Sequence, residues 1–141
     1  GDRALDKNRL EETLNRGDNY ASKFLPKKQA IVNVITEKIG GEKIILYGAG
    51  HSAGAFINHY SLKDFVEYIV DDDHNKQGLF MPKSRLPIKD SIILDKVGLR
   101  VCLLAVNPIQ DKQVILKHKN FLEGGGKFLS IYPSSNFSLW E

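Results

Sequence analysis

Lys43-Ile44-Ile45-Leu46-Tyr47-Gly48-Ala49-Gly50-His51-Ser52-Ala53-Gly54 is the stretch on which the fold turns. Residues 43–47 form a short, nearly continuous apolar run, the pattern of a strand buried on both faces. Gly48 to Gly54 reads as a turn, and Ala53 to Tyr60 as the helix after it. A glycine-rich turn between a buried strand and a helix is the setting in which backbone amides cradle a phosphate. Gly48 permits the tight turn, and Gly50 leaves room for a phosphate where a Cβ would stand. The N–H groups of His51, Ser52 and Ala53 then face the anion, helped by the helix dipole. Gly54, with Ala53, is expected to bring the helix close to the strand. The spacing is G-x-G-x-x-x-G, one residue longer than the commonest dinucleotide version, and the same glycines would also serve a turn used only for packing.

Outward from this stretch the periods alternate. Upstream, Ala4 to Ile39 reads as helical, with a break at Arg16-Gly17-Asp18-Asn19. The second helical part carries Phe24, Leu25, Ala30, Ile31, Val34, Ile35 and Ile39 on one stripe, and Gly40-Gly41 ends it. Pro26 suits a first turn or a kink. Downstream, Phe65–Val70 reads as a strand closed by Asp71-Asp72-Asp73, and 75–89 as a loop from which Ile88 starts a short strand. Asp90–Val97 reads as a short helix and Arg100–Val106 as another apolar strand. Asn107-Pro108 opens a helix running to about Leu122, since Asn is a favoured cap and Pro at the first position loses no useful N–H. Gly124-Gly125-Gly126 ends it, and Lys127–Tyr132 is the last strand. The tail holds Phe137, Leu139 and Trp140, which need a surface to pack on. This order implies an α/β fold: a mostly parallel sheet of four or five strands with helices on both faces. Residues 1–40 are expected to form an N-terminal helical segment and 41–141 the Rossmann-like sheet domain.

Composition narrows the function classes. The chain has 141 residues, 42% of them hydrophobic and 26% charged, which suits one domain with its own core. No apolar run approaches the roughly 18 residues of a membrane span, and GDRALDKNRL at the start is no signal peptide. The chain begins with Gly1 in place of Met and reads as a piece of a longer protein. Cys102 is the single cysteine, so neither an internal disulfide nor a Cys-based zinc site is available, and a cytoplasmic location is expected. A net charge of +3 without a basic cluster argues against nucleic-acid binding.

Other candidate residues gather around the turn. Asp71 ends the second strand about twenty residues on, where an acid accepts hydrogen bonds from ribose hydroxyls; Asp72 and Asp73 compete for that role. Three consecutive acids do not make a metal site, because neighbours in an extended segment point apart. Asn107 and Pro108 should line the crevice at which the strand order reverses. The four histidines form no cluster, and only His51 sits where it could touch a phosphate or sugar. Ser52 lacks the G-x-S-x-G context of an acyl-transfer nucleophile. The Arg16-Gly17-Asp18 tripeptide reads as a helix-end turn.

The segments IILYGAGHSAGAFINHY, YIVDDDHNKQGLFMPKSRLPI, VCLLAVNP and GGGKFLSIYP together resemble the C-terminal domain of the sugar C-methyltransferases, over residues 43–133 and in the same order and spacing. Lys76-Gln77-Gly78 and Leu86-Pro87-Ile88 are the most specific pieces. Lys83-Ser84 and Val106-Asn107 depart from the family's usual Pro-Gly and Trp-Asn. The resemblance implies a Rossmann-like domain that helps hold the nucleoside diphosphate of a nucleotide sugar. It implies a parent chain with a zinc-binding part and a central domain using S-adenosylmethionine as cofactor. The zinc cysteines, the acidic methyl-donor motif and the catalytic tyrosine and histidine segment of that central domain are absent here. The fragment is therefore expected to bind without catalysing and without a cofactor or metal of its own. Its nucleotide-binding residues are expected to be Gly48, Gly50, His51, Ser52, Ala53, Asp71, Asp72, Lys76, Asn107 and Pro108, and its partners a nucleotide sugar and the methyl-donor domain. A nicotinamide-dependent oxidoreductase domain and a non-catalytic assembly scaffold remain as competing expectations. The N-terminal domain of sugar acyltransferases, with a similar strand into Gly-Ala-Gly-His, is a near alternative.

Overall fold

A computed structural model of the chain describes residues 28–39, 42–98 and 100–140. The helical stretch expected from Ala4, its break at Arg16–Asn19, and Phe24, Leu25, Pro26, Gly40 and Gly41 lie outside those residues.

The described chain runs α1 (Lys28–Ile39), β1 (Ile44–Tyr47), α2 (His51–His59), β2 (Val66–Asp71), β3 (Ile88–Asp90), a 3₁₀ helix (Ser91–Lys96), β4 (Val101–Leu104), α3 (Asp111–Lys117), α4 (Lys119–Glu123) and β5 (Lys127–Ser130). The five strands form one sheet of order β3-β2-β1-β4-β5, with every neighbouring pair parallel. β1 is therefore the central strand, which is why all four of its residues are buried. Tyr47 stands in register with Val70 of β2 on one side and Leu104 of β4 on the other.

Side chains alternate across the pleat and split the core in two. Ile44, Leu46, Ile69, Leu103 and Leu129 face one way, onto Ile31 and Ile35 of α1 and Ala53, Phe56 and Ile57 of α2. Ile45, Tyr47, Tyr68, Val70, Cys102, Leu104 and Phe128 face the other way, onto Leu94, Val114 and Phe121. Helices thus cover both faces of a parallel sheet, giving a Rossmann-like three-layer α/β fold.

The structure differs from the sequence expectation at three places. The helix after the glycine turn starts at His51, two residues before the expected Ala53. Gly54 does not mediate close packing on the strand: a Cβ there would meet only Met81 Cε, at 3.6 Å, and buried Ala53 makes the contact with the sheet. The helix expected to run from Asn107 to Leu122 is a 3₁₀ turn (Pro108–Gln110) followed by α3 and α4, which part at His118, where φ is −113° and ψ 43°. The cause is burial: His118 is only 2% exposed, and the break lets its ring enter the core beside Tyr47 and Phe128.

The tail finds its surface on β5. Ser130 donates its N–H to the Phe137 carbonyl (2.8 Å) and accepts from Leu139 N–H (2.8 Å). Leu139 is buried, and Trp140 Nε1–H donates to the Ile131 carbonyl (2.9 Å). Among the described residues no helix is long and apolar enough to cross a membrane.

Candidate functional site

The sheet's order reverses between β1 and β4, and loops leaving adjacent strands in opposite directions leave a gap at their carboxyl ends. A crevice of about 620 Å³ occupies that gap. Its floor is Tyr47 and Gly48, one wall the β2 end with Asp71, Asp72 and Asp73, and the other Val106, Gln110, Gln113, Val114 and Lys117.

The turn itself is held by both neighbours. Gly48 donates its N–H to the Val70 carbonyl (2.8 Å), and Ala105 N–H donates to the Tyr47 carbonyl (2.9 Å), so the ladder continues to the turn's edge. Gly48 has φ +103°, and a Cβ there would lie 2.9 Å from Val106 Cγ1 and 3.1 Å from the Ala105 carbonyl oxygen. Both facts demand glycine. Gly50 is different. Its φ of −109° and ψ of −163° are extended, and a Cβ would meet nothing within 4 Å. It precedes α2 with no side-chain cap, leaving the start of a nine-residue helix facing this open space.

Asp71 ties β2 to the turn: Oδ2 accepts Ala49 N–H at 2.7 Å and Oδ1 accepts Asp73 N–H at 2.8 Å. Lys76 Nζ donates to the Ala49 carbonyl at 3.3 Å, and Gln77 Nε2 donates to the Asp71 carbonyl at 2.8 Å. Lys76-Gln77-Gly78 is thus the segment that folds the loop back onto the turn, with Gly78 at φ +85°. Lys76 also borders a second cavity of about 450 Å³ on the outer side of the turn, with Gly50, His51, Asn58 and Lys83.

Asp72 is the hub of the crevice wall. It accepts from Tyr47 Oη (2.6 Å), from Lys117 Nζ (2.7 Å) and from Ser91 Oγ. Burial alone would raise its pKa, but the three donors, Lys117 foremost, outweigh it and hold the carboxyl at about 2. Burial and the Asp72 carboxylate push the Tyr47 hydroxyl well above the usual range. His118 Nε2 lies 3.0 Å from Tyr47 Oη. Burial first, and Lys117 second, lower the His118 pKa.

The expected site residues divide. Gly48, Gly50, Asp71, Asp72 and Lys76 line the crevice, and His51 joins Gly50 and Lys76 in the adjoining cavity. Ser52 Oγ is hydrogen-bonded to the Tyr132 hydroxyl, and Ala53 faces the core. Asn107 is exposed, and its Oδ1 accepts Ile109 N–H at 3.0 Å, so its cap role is present while the crevice wall is built by Val106, Gln110 and Gln113 instead. Pro108 borders a separate cavity of about 410 Å³. Tyr47, Gln110, Gln113, Lys117 and His118 were not expected here. Helical spacing of 110, 113 and 117 from the Asn107 cap was the available signal for three of them. Among the described residues no His, Cys, Asp and Glu cluster could hold a metal ion.

A parallel α/β sheet with a glycine turn on a crevice at its switch point defines a Rossmann-like domain. The sequence places it further: the family model of the C-methyltransferase C-terminal domain matches residues 6–133, and the chain belongs to that family. No curated protein matches the chain.

Proposed function

We propose that the chain binds the nucleoside diphosphate part of a nucleotide sugar and presents it to a methyl-donor domain of the same parent protein, without catalysing methyl transfer alone. The observation that carries this reading is the crevice of about 620 Å³ at the strand-order reversal, with the glycine turn on its floor and carboxylates on its wall. Family membership supports the methyltransferase context. The charges divide the ligand. Phosphates belong over Gly50, toward the start of α2, Lys76 and the cavity bordered by His51 and Lys83, where a Cβ-free space meets positive charge. Ribose hydroxyls belong toward Asp71, whose oxygens keep acceptor capacity beside the bonds they already make. S-adenosylmethionine is the cofactor of the parent's other domain. In this chain the position before Gly48 is Tyr47, whose hydroxyl is engaged by Asp72 and His118, so no acid stands where a methyl-donor motif would carry one.

Calorimetric titration with uridine and thymidine diphosphates tests the reading. Wild type should bind, and Gly50→Val should abolish binding while keeping its fold, because the backbone at 50 is extended and valine adopts it. Equal affinity for wild type and Gly50→Val would place the ligand elsewhere. A thermal shift produced by a nicotinamide dinucleotide and by neither diphosphate would favour the oxidoreductase reading.

A further inference from the structure

We propose that His118 is an acid-operated latch: on protonation its Nδ1 closes onto Asp95 and fastens the 3₁₀ helix Ser91–Lys96 to the break between α3 and α4. The direction of one hydrogen bond establishes the resting state. Tyr47 has a single hydroxyl proton, and it goes to Asp72 Oδ2 at 2.6 Å. The 3.0 Å contact between Tyr47 Oη and His118 Nε2 must therefore use the imidazole's own proton. Neutral His118 is then the Nε2–H tautomer, and its Nδ1 carries a bare lone pair. That Nδ1 is buried and has no hydrogen-bond partner. It faces Asp95 Oδ1 at 4.0 Å, too far for a hydrogen bond and aimed at a group that can only accept.

Two acceptors facing each other make a site for one proton. When it arrives, Nδ1 becomes a charged donor opposite a carboxylate, and closing the gap yields a charge-assisted hydrogen bond. The surrounding charges grade this event. Asp72 beyond β2, Asp90 at the end of β3 and Asp95 on the 3₁₀ helix favour the imidazolium, Lys117 on α3 opposes it, and burial opposes it most. Tyr47 on β1 is neutral, and β5 presents the uncharged Phe128 ring. The imidazole accordingly rests neutral near pH 7 and charges below the ordinary histidine value. The latch bears on the crevice because its two ends do: Ser91 of the 3₁₀ helix and Lys117, the residue before His118, both donate to Asp72.

The latch is independent of ligand binding, and the unliganded chain tests it. Imidazole nitrogen shifts should show the Nε2–H tautomer at high pH and a His118 midpoint below about 6.5. The backbone signals of residues 91–96 should move with that same midpoint. Asp95→Asn should lower the midpoint by about 1 pH unit and uncouple the 91–96 signals, whereas Asp95→Glu, which keeps the charge, should retain the coupling. An Nδ1–H tautomer at high pH, a midpoint that Asp95→Asn leaves unmoved, or 91–96 signals that do not follow His118 in wild type would each overturn the latch.

Discussion

Alanine at position 48 should cost the fold about 2–6 kcal/mol, and alanine at position 50 less than about 1 kcal/mol. The two glycines lie two residues apart in one turn, yet the structure asks different things of them. At 48 the backbone has φ +103°, a conformation that a non-glycine residue enters at about 1–3 kcal/mol. The added Cβ would also stand 2.9 Å from Val106 Cγ1 and 3.1 Å from the Ala105 carbonyl oxygen. Val106 can shift, but the carbonyl belongs to backbone that continues the β4 ladder, so overpacking adds about 1–3 kcal/mol. The total is a large share of the roughly 5–15 kcal/mol that holds a domain together. In melting temperature it corresponds to a fall of about 8–24 °C. At 50 the backbone is extended and the Cβ meets open space, leaving only the preference of a helix cap for glycine over alanine. Urea denaturation followed by far-ultraviolet circular dichroism, with both variants measured beside wild type, reads the difference directly. A Gly48→Ala protein as stable as wild type would refute the account of the turn, and so would two variants with equal losses.

Two further outcomes concern acid and base. Asp72 has a folded pKa of about 2, below its ordinary value, so its contribution is present above about pH 4 and is lost as pH falls toward about 2. Asp72→Asn should flatten that limb in guanidinium titrations at about pH 5 and about pH 2.5, and an unchanged limb would assign acid sensitivity to other carboxylates. Asp111 runs the opposite way: it is 3% exposed, one oxygen accepts from Ser135 Oγ at 2.6 Å, the other has no partner, and burial raises its pKa. Its contribution is present below the ordinary Asp value and lost as pH rises through the raised one. Asp111→Asn should therefore gain on wild type as pH goes from about 4 to about 7; a difference independent of pH would contradict it.

The sheet was legible because apolar runs such as Ile44–Tyr47 and Val101–Leu104 carry their fold in one dimension: a strand buried on both faces needs no distant partner to be recognised. The glycine turn and Asp71 were legible for the same reason, since the strand ends that position them are local. The helix break at His118 was not. Nothing in QVILKHKNFLEG interrupts helical spacing, and the break comes from the ring's burial beside Tyr47 and Phe128, residues 71 and 10 positions away in sequence. Tyr47 belongs to an apolar run, yet its hydroxyl bonds Asp72 and His118, partners 25 and 71 positions away that the local pattern does not encode. Asn107 is the converse case: its side chain makes a local cap bond with Ile109 N–H at 3.0 Å, and the residues that line the crevice beside it are Val106, Gln110 and Gln113.

Residues 134–140 lie beyond the stretch that matches the family, 6–133, yet they supply the strand-like partner of Ser130 and the buried Leu139. The domain recognised by sequence is thus shorter than the unit that folds. A chain cut after Pro133 would leave β5 as a naked sheet edge, with the N–H and carbonyl of Ser130 unpaired and Ile131 and Tyr132 uncovered. Such an edge is a template for another strand, and the nearest one at high concentration belongs to a second copy of the same truncated chain. In the intact chain residues 134–140 cap that edge through the two backbone bonds at Ser130 and the bridge to Ser138.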